Sequence, residues 1–299
     1  MDTSWPTDGS RPTDTARPSW ATWRAGATYI DVGKISVAVH QRGAPDGPVV
    51  TYLHGYPSSS LDMAPVLPHL DPAVRVLAID LPGFGASDKP ADHPYSIDGA
   101  VDTVEAVWAG LGVPPGVVAA HDYSVSVAQE LLARHSHQVG AVVFMNGGLY
   151  PDLHRPTPGQ TMLLDPEHGA EIAASVTRES FVRGMASTWG TRIPFDERAV
   201  REMFLSMDER GGIAMMHTLL HYVADRRANA HRWSEAIDAA DVPLCFVWGD
   251  LDPVSGAHMI ERVEERRRDA RIVRLADVGH WPPLEAPEVV GAEITRLLG

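Results

Sequence analysis

Residues 117–128, Val117-Val118-Ala119-Ala120-His121-Asp122-Tyr123-Ser124-Val125-Ser126-Val127-Ala128, decide how this chain is organised. The apolar run Val117 to Ala120 reads as a buried strand that stops at His121-Asp122-Tyr123. From Ser124 to Arg134 the spacing becomes helical, with Val127, Leu131 and Leu132 on one face and Ser124 or Ser126 able to cap the start. A strand that turns sharply into a helix needs small residues beside the turn, because two backbones converge there; Ala120 and Ser124 supply them. The side chain at the tip is Asp122. A carboxylate attacks carbon centres that a serine hydroxyl usually does not, so this one residue sets the chemistry.

Apolar runs on either side mark further strands. Ala27–Val32 and Lys34–Gln41 flank Gly33 as an antiparallel hairpin, followed by Pro48–Leu53, Val74–Ile79, Val139–Met145, Val242–Trp248 and Ala270–Leu275. Ser96 caps a helix through Leu111 that carries Val101, Val104, Val107 and Trp108 at helical spacing, and Leu284–Leu298 reads as a closing amphipathic helix. Strands alternating with helices predict an α/β fold with a mostly parallel sheet covered on both faces. The rhythm breaks between Asn146 and Asp241, where only helical pieces such as Glu197–Met207 and Gly212–Val223 are found. That stretch reads as an inserted helical cap, entered through Pro151, Pro156 and Pro158 and left through Asp241-Val242-Pro243. The predicted organisation is a flexible tail over residues 1–24, a core over 25–146 and 241–299, and a cap over 147–240.

Composition narrows the partners. The chain of 299 residues is 44% hydrophobic, enough for one large domain carrying an insertion. A net charge of -14 argues against nucleic acid or an anionic membrane. The single cysteine, Cys245, lies in an apolar run and reads as a buried, inert thiol. Residues 1–20 are rich in Pro, Thr, Ser and Asp and lack the apolar core of a secretory signal. No run approaches the roughly 18 apolar residues of a membrane span. A cytoplasmic protein is expected, with a homodimer left open. The 14 histidines show no metal-ligand spacing and no Gly-X-Gly-X-X-Gly follows the first strand, so neither a metal nor another cofactor is expected.

Ligands meet an open parallel sheet at its strand ends. Four ends carry polar signatures: His54-Gly55-Tyr56-Pro57, Asp122, Asp252 in Gly249-Asp250-Leu251-Asp252-Pro253, and His280 in Asp277-Val278-Gly279-His280-Trp281. The chain order of nucleophile, acid and histidine is the one used by α/β-hydrolases. Together with Asp80-Leu81-Pro82-Gly83-Phe84-Gly85-Ala86-Ser87-Asp88-Lys89-Pro90, these motifs resemble the α/β-hydrolase family, in particular the branch of epoxide hydrolases and haloalkane dehalogenases with a His-Asp-aromatic elbow. The resemblance covers about residues 30 to 299 and implies a mostly parallel eight-stranded sheet flanked by helices. In the cap, Asn146 to Pro151, His154-Arg155-Pro156, Leu219 to Tyr222, Arg226 and Arg232-Trp233 are similar to the mesoderm-specific transcript family and its bacterial members.

The resemblance implies cofactor-free hydrolysis of a small hydrophobic molecule. Asp122 would attack an electrophilic carbon to form an alkyl-enzyme ester, and His280, oriented by Asp252, would activate the water that cleaves it. The backbone N–H groups of Tyr56 and Tyr123 would form the oxyanion hole. Dehalogenases of this branch usually carry Trp after the nucleophile and Asn after the His-Gly pair; both positions are Tyr here, which favours an epoxide over a halide. Epoxide hydrolases protonate the leaving oxygen with two cap tyrosines; Tyr222 matches one, while His54, Tyr150, Trp189, His217 and His221 are further candidates to contact substrate or leaving group. Simpler readings compete. Asp122 is also a favoured helix cap, Ser126 also fits small-X-Ser-X-small as in a serine esterase, and Asp250 competes with Asp252. A β-lactone- or ester-processing enzyme would keep the same scaffold, and a side chain at Ser124 that crowded the elbow would suit a binding or isomerising protein.

Overall fold

The computed structural model describes residues 17–299. Its eight strands are β1 Thr28–Val32, β2 Ile35–Arg42, β3 Val49–Leu53, β4 Arg75–Ile79, β5 Gly116–His121, β6 Val139–Met145, β7 Leu244–Gly249 and β8 Arg271–Leu275. They form one sheet in the order β1-β2-β4-β3-β5-β6-β7-β8. The β1–β2 hairpin and the β2–β4 pair are antiparallel, and every pair from β4 to β8 is parallel. Burial follows position: β3 and β7 are buried along their whole length, whereas the edge strands β1 and β8 are largely exposed. This is why the inner strands read as unbroken apolar runs. Parallel pairing also brings the C-terminal ends of β3, β5, β7 and β8 to one edge, so Asp122, Asp252 and His280 meet although they are far apart in the chain.

The helices are α1 Trp20–Ala25, α2 Ile97–Leu111, α3 Tyr123–Ala133, α4 Pro158–Leu163, α5 Gly169–Ala174, α6 Arg178–Ala186, α7 Glu197–Asp208, α8 Met216–Leu219, α9 Tyr222–Ala228, α10 Ala230–Asp238, α11 Ala257–Arg266, α12 Pro282–Glu285 and α13 Pro287–Leu298. Ser96 caps α2 by accepting from the Gly99 N–H. The run from α4 to α10 is the helical insertion between β6 and β7. It returns to the core where Glu130 of α3 accepts the Trp233 indole N–H at 2.7 Å and pairs with Arg232, both from α10.

Three expectations are corrected. The helix read over Gly212–Val223 is broken into a 3-10 stretch, Glu209–Met215, followed by α8 and α9. Arg210 and Gly211 take left-handed φ values of 55° and 76°, a turn that a glycine makes without strain. The closing helix is split at Ala286, because Pro287 lacks an N–H and drives the preceding residue out of helical geometry, to φ -143°, ψ 51°.

The third correction concerns the flexible tail of residues 1–24, of which 1–16 lie outside the described residues. Trp20–Ala25 is instead a helix with both tryptophans buried. The Trp23 ring stacks on His40 at 4.6 Å and its indole donates to Ser60 at 3.0 Å. Trp20 donates through its backbone to Glu202 of α7 at 2.6 Å and through its indole to Glu209 at 3.0 Å. So α1 fastens the cap to the core. Six residues are too few to show a period, which hid this packing. Trp23→Ala is expected to lower stability by about 3–5 kcal/mol, measured by chemical denaturation. A loss under about 1 kcal/mol, the size typical of surface changes, would mean that α1 is not part of the cooperative fold. No helix among the described residues is long and apolar enough to cross a membrane.

Candidate active site

Asp122 sits where β5 ends and α3 begins, at φ 46° and ψ -101°, a strained conformation for a residue with a side chain. Its N–H donates to the carbonyls of Met145 at 3.2 Å and Asn146 at 3.1 Å, which holds the turn in place. Glycines allow the approach: a Cβ on Gly55 would lie 2.8 Å from Asp122 Cβ, and one on Gly147 would lie 2.7 Å from the Asp122 carbonyl oxygen. The carboxylate makes no cap bond to its own helix. Instead Oδ2 accepts the Tyr56 N–H at 2.9 Å, and Oδ1 faces His280 Nε2 at 3.7 Å. The Tyr123 N–H opens α3, where first-turn N–H groups have no acceptor within the helix.

On its other side, His280 Nδ1 is 2.7 Å from Asp252 Oδ2. Asp252 also accepts the Val254 N–H and the Ser255 hydroxyl, each at 2.8 Å, and the Asn146 amide N–H at 3.0 Å. Burial works against charge on both partners. The negative charges of Asp252 and then Asp122 nevertheless lift the His280 pKa to about 9. His280 and the hydrogen bonds from Val254 and Ser255 hold Asp252 down at about 2. Asp252 Oδ2 and Asp122 Oδ1 thus flank the buried His280 ring at 2.7 and 3.7 Å. Asp250, the competing acid, pairs with Arg274 instead, at 3.0 Å.

Some contributors were not anticipated from sequence. Asn146 bridges β6 to β7, donating to the Gly249 carbonyl at 2.9 Å and accepting its N–H at 2.7 Å while also holding Asp252. Its strand-end position was visible; its partners were not. His121 Nε2 donates to the His280 carbonyl at 2.8 Å, and burial, then the His280 charge, lower its pKa to about 4, so it stays neutral. The His280 N–H donates to the Thr188 carbonyl at 2.8 Å. No motif in the sequence announces contacts of this kind.

Three phenols converge near the elbow. The Tyr222 ring meets Tyr123 edge-on at 4.8 Å and Tyr56 at 6.5 Å. Burial and then the charge of Asp122 raise the Tyr222 pKa. The Tyr56 hydroxyl donates to the Met216 carbonyl at 3.3 Å, so this residue faces Asp122 through its backbone N–H. Ser124 does not crowd the turn: its hydroxyl donates to the His54 carbonyl at 2.5 Å. Ser126, the alternative nucleophile, accepts from Arg226 Nε at 2.7 Å.

Other candidates lie elsewhere. His54 is buried with both ring nitrogens engaged, by the Gly55 carbonyl at 2.8 Å and the Leu81 N–H at 3.2 Å; it fixes a loop and has no nitrogen left for substrate. Tyr150 is corrected too. Its backbone turns toward Met259, and its ring lies beneath Arg262 and Arg266 of α11, at 5.6 and 5.9 Å. Trp189 packs its ring on Phe195 at 5.4 Å, and the link of this segment to the site is the neighbouring Thr188 carbonyl. His217 bonds locally to the Ala214 carbonyl, and His221 is exposed.

Comparison with known proteins gives the family and the fold. The chain is 34% identical over 288 residues to LipZ of Mycobacterium tuberculosis, covering 94% of this chain and 98% of that one. It is 29% identical over 289 residues to the human mesoderm-specific transcript homolog protein, covering 90% and 85%. The haloalkane dehalogenase DbeA of Bradyrhizobium elkani superposes with a TM-score of 0.77 over 91% of this chain and 97% of that one, at 21% identity, a likeness of fold. Residues 48–287 match the alpha/beta hydrolase fold family, and with that match over most of its length the chain belongs to this family.

Proposed function

We propose that the protein hydrolyses a small hydrophobic epoxide through a covalent ester on Asp122. One observation carries this: the Asp122 carboxylate ignores its own helix and is shared between the Tyr56 N–H and the His280 imidazole. In the first step an Asp122 oxygen bonds to an epoxide carbon as the ring C–O bond breaks, and the ring oxygen takes the Tyr222 proton. The ester is neutral, so one of the charges that raise the His280 pKa disappears. His280 can then release its proton, which restores Tyr222. In the second step neutral His280 takes a proton from water as the oxygen attacks the ester carbonyl. The Tyr56 and Tyr123 N–H groups stabilise the oxyanion, and loss of one such donor raises the barrier by about 3 kcal/mol. Collapse expels the diol's second oxygen as an alkoxide, which takes the proton that the water oxygen carried into the intermediate, so Asp122 returns as carboxylate and His280 as imidazolium.

A single turnover of styrene oxide in heavy-oxygen water tests this. Label is expected in the Asp122 carboxyl and not in the first diol released. Label only in the diol would mean direct water attack and would end the proposal. Halide release from a halocarbon panel, with epoxides untouched, would move the substrate class to haloalkanes.

A further inference from the structure

Arg226 is a buried cation on the cap helix α9 that reaches down into the elbow. Its Nη2 donates to the Asp122 carbonyl at 2.8 Å and its Nε to the Ser126 hydroxyl at 2.7 Å. Neither acceptor carries a full charge. Its guanidinium carbon lies 4.5 Å from the centroid of the Tyr222 ring, one turn earlier on the same helix. Backbone room has been left for it: a Cβ on Gly148 would come within 2.5 Å of Arg226 Nη1. An arginine buried at this depth is costly unless its charge is used, and hydrogen bonds alone could be met by a neutral side chain.

Tyr222 is the group on which that charge bears. Burial and the Asp122 carboxylate both make its phenol a reluctant acid, and Arg226 acts in the opposite direction. The Tyr56 hydroxyl is already committed to the Met216 carbonyl, and burial and then the neighbouring Tyr222, whose ring it meets edge-on at 4.8 Å, raise the Tyr123 pKa. Tyr222 is the phenol whose ring lies directly against the guanidinium.

We propose that Arg226 is a positioning residue acting through Tyr222: its guanidinium sets the phenol over Asp122 and stabilises the phenolate formed when the leaving oxygen takes the proton. This rests on the epoxide mechanism above. Electron and proton accounting is unchanged: the C–O electron pair goes to the ring oxygen, the Tyr222 proton follows it, and the phenolate stays under Arg226 until His280 gives up its proton.

The test is a double-mutant cycle on the full chain with styrene oxide, following ester formation in single turnovers. Arg226→Met is expected to slow this step by about 100-fold or more, the contribution of a working general acid, but by less than about threefold when added to Tyr222→Phe. Arg226→Lys, which keeps the charge, is expected to recover most of the rate. Equal losses from Arg226→Met in both backgrounds, or equal rates for the Lys and Met variants, would show that Arg226 only pins the cap, and would overturn the inference. If Arg226→Met does not fold, Ser126→Ala and Arg226→Lys decide. Ser126→Ala removes a bond but no charge, so a rate within about threefold of the unaltered enzyme is expected. A loss as large as that expected for Arg226→Met would again point to pinning alone. If the unaltered enzyme forms no ester from styrene oxide, the epoxide mechanism itself fails, a result distinct from these.

Discussion

Asp122→Asn is expected to lower turnover by at least about four orders of magnitude while leaving the fold intact. The amide oxygen can still accept the Tyr56 N–H, and the isosteric side chain places no new demand on the strained turn. What is lost is the negative charge and the ability to form an ester. Unchanged circular dichroism and an unchanged thermal midpoint, together with lost epoxide turnover, would locate the defect in chemistry. The same variant has a second readout. Asp122 is one of the charges that raise the His280 pKa to about 9, so removing it lowers that pKa, which a nitrogen NMR titration of the imidazole can follow. A rate equal to that of the unaltered enzyme would exclude Asp122 as nucleophile.

His280→Gln is expected to separate the two steps. Ester formation needs Asp122 and the proton donor, whereas hydrolysis needs a base at the histidine. The variant should therefore form the ester and stop, giving one equivalent of epoxide consumed and no sustained turnover. Intact mass spectrometry should show the enzyme heavier by the whole mass of the epoxide, on the peptide that contains Asp122. A haloalkane would add its alkyl group without the halogen, so the mass also reports the leaving group. Full steady-state turnover would remove His280 from the mechanism. In the unaltered enzyme, hydrolysis requires neutral His280 in the ester state. Where that step limits the rate, turnover should fall about tenfold per pH unit below the imidazole pKa of the ester, which lies below the resting value.

Most of the core was legible because buried parallel strands leave a local signature. Val139–Met145 coincides with β6, and the other strand boundaries shift by one or two residues, since apolar runs report burial directly. The cap was less legible. Its helices are short, and their ends depend on Gly211, Gly212 and contacts with the core rather than on a sustained period. Helix α1 was missed for a similar reason: two tryptophans in a polar tail become informative only once Ser60, His40, Glu202 and Glu209 are seen around them.

For the site, local sequence determined which residues stand at strand ends, because a strand-to-helix turn flanked by small residues is a short-range pattern. Asp122, Asp252 and His280 could be named that way. Which of them touch was decided by the tertiary structure, since the chain of parallel pairs from β5 to β8 brings together strand ends that are far apart in the chain. Only there does Asp250 turn to Arg274, Asn146 take hold of Asp252, Tyr150 swing beneath α11 and Arg226 descend onto the elbow. Charge, hydrogen bonding and desolvation act through space over a few ångströms, and nothing in the order of residues along a chain encodes that distance.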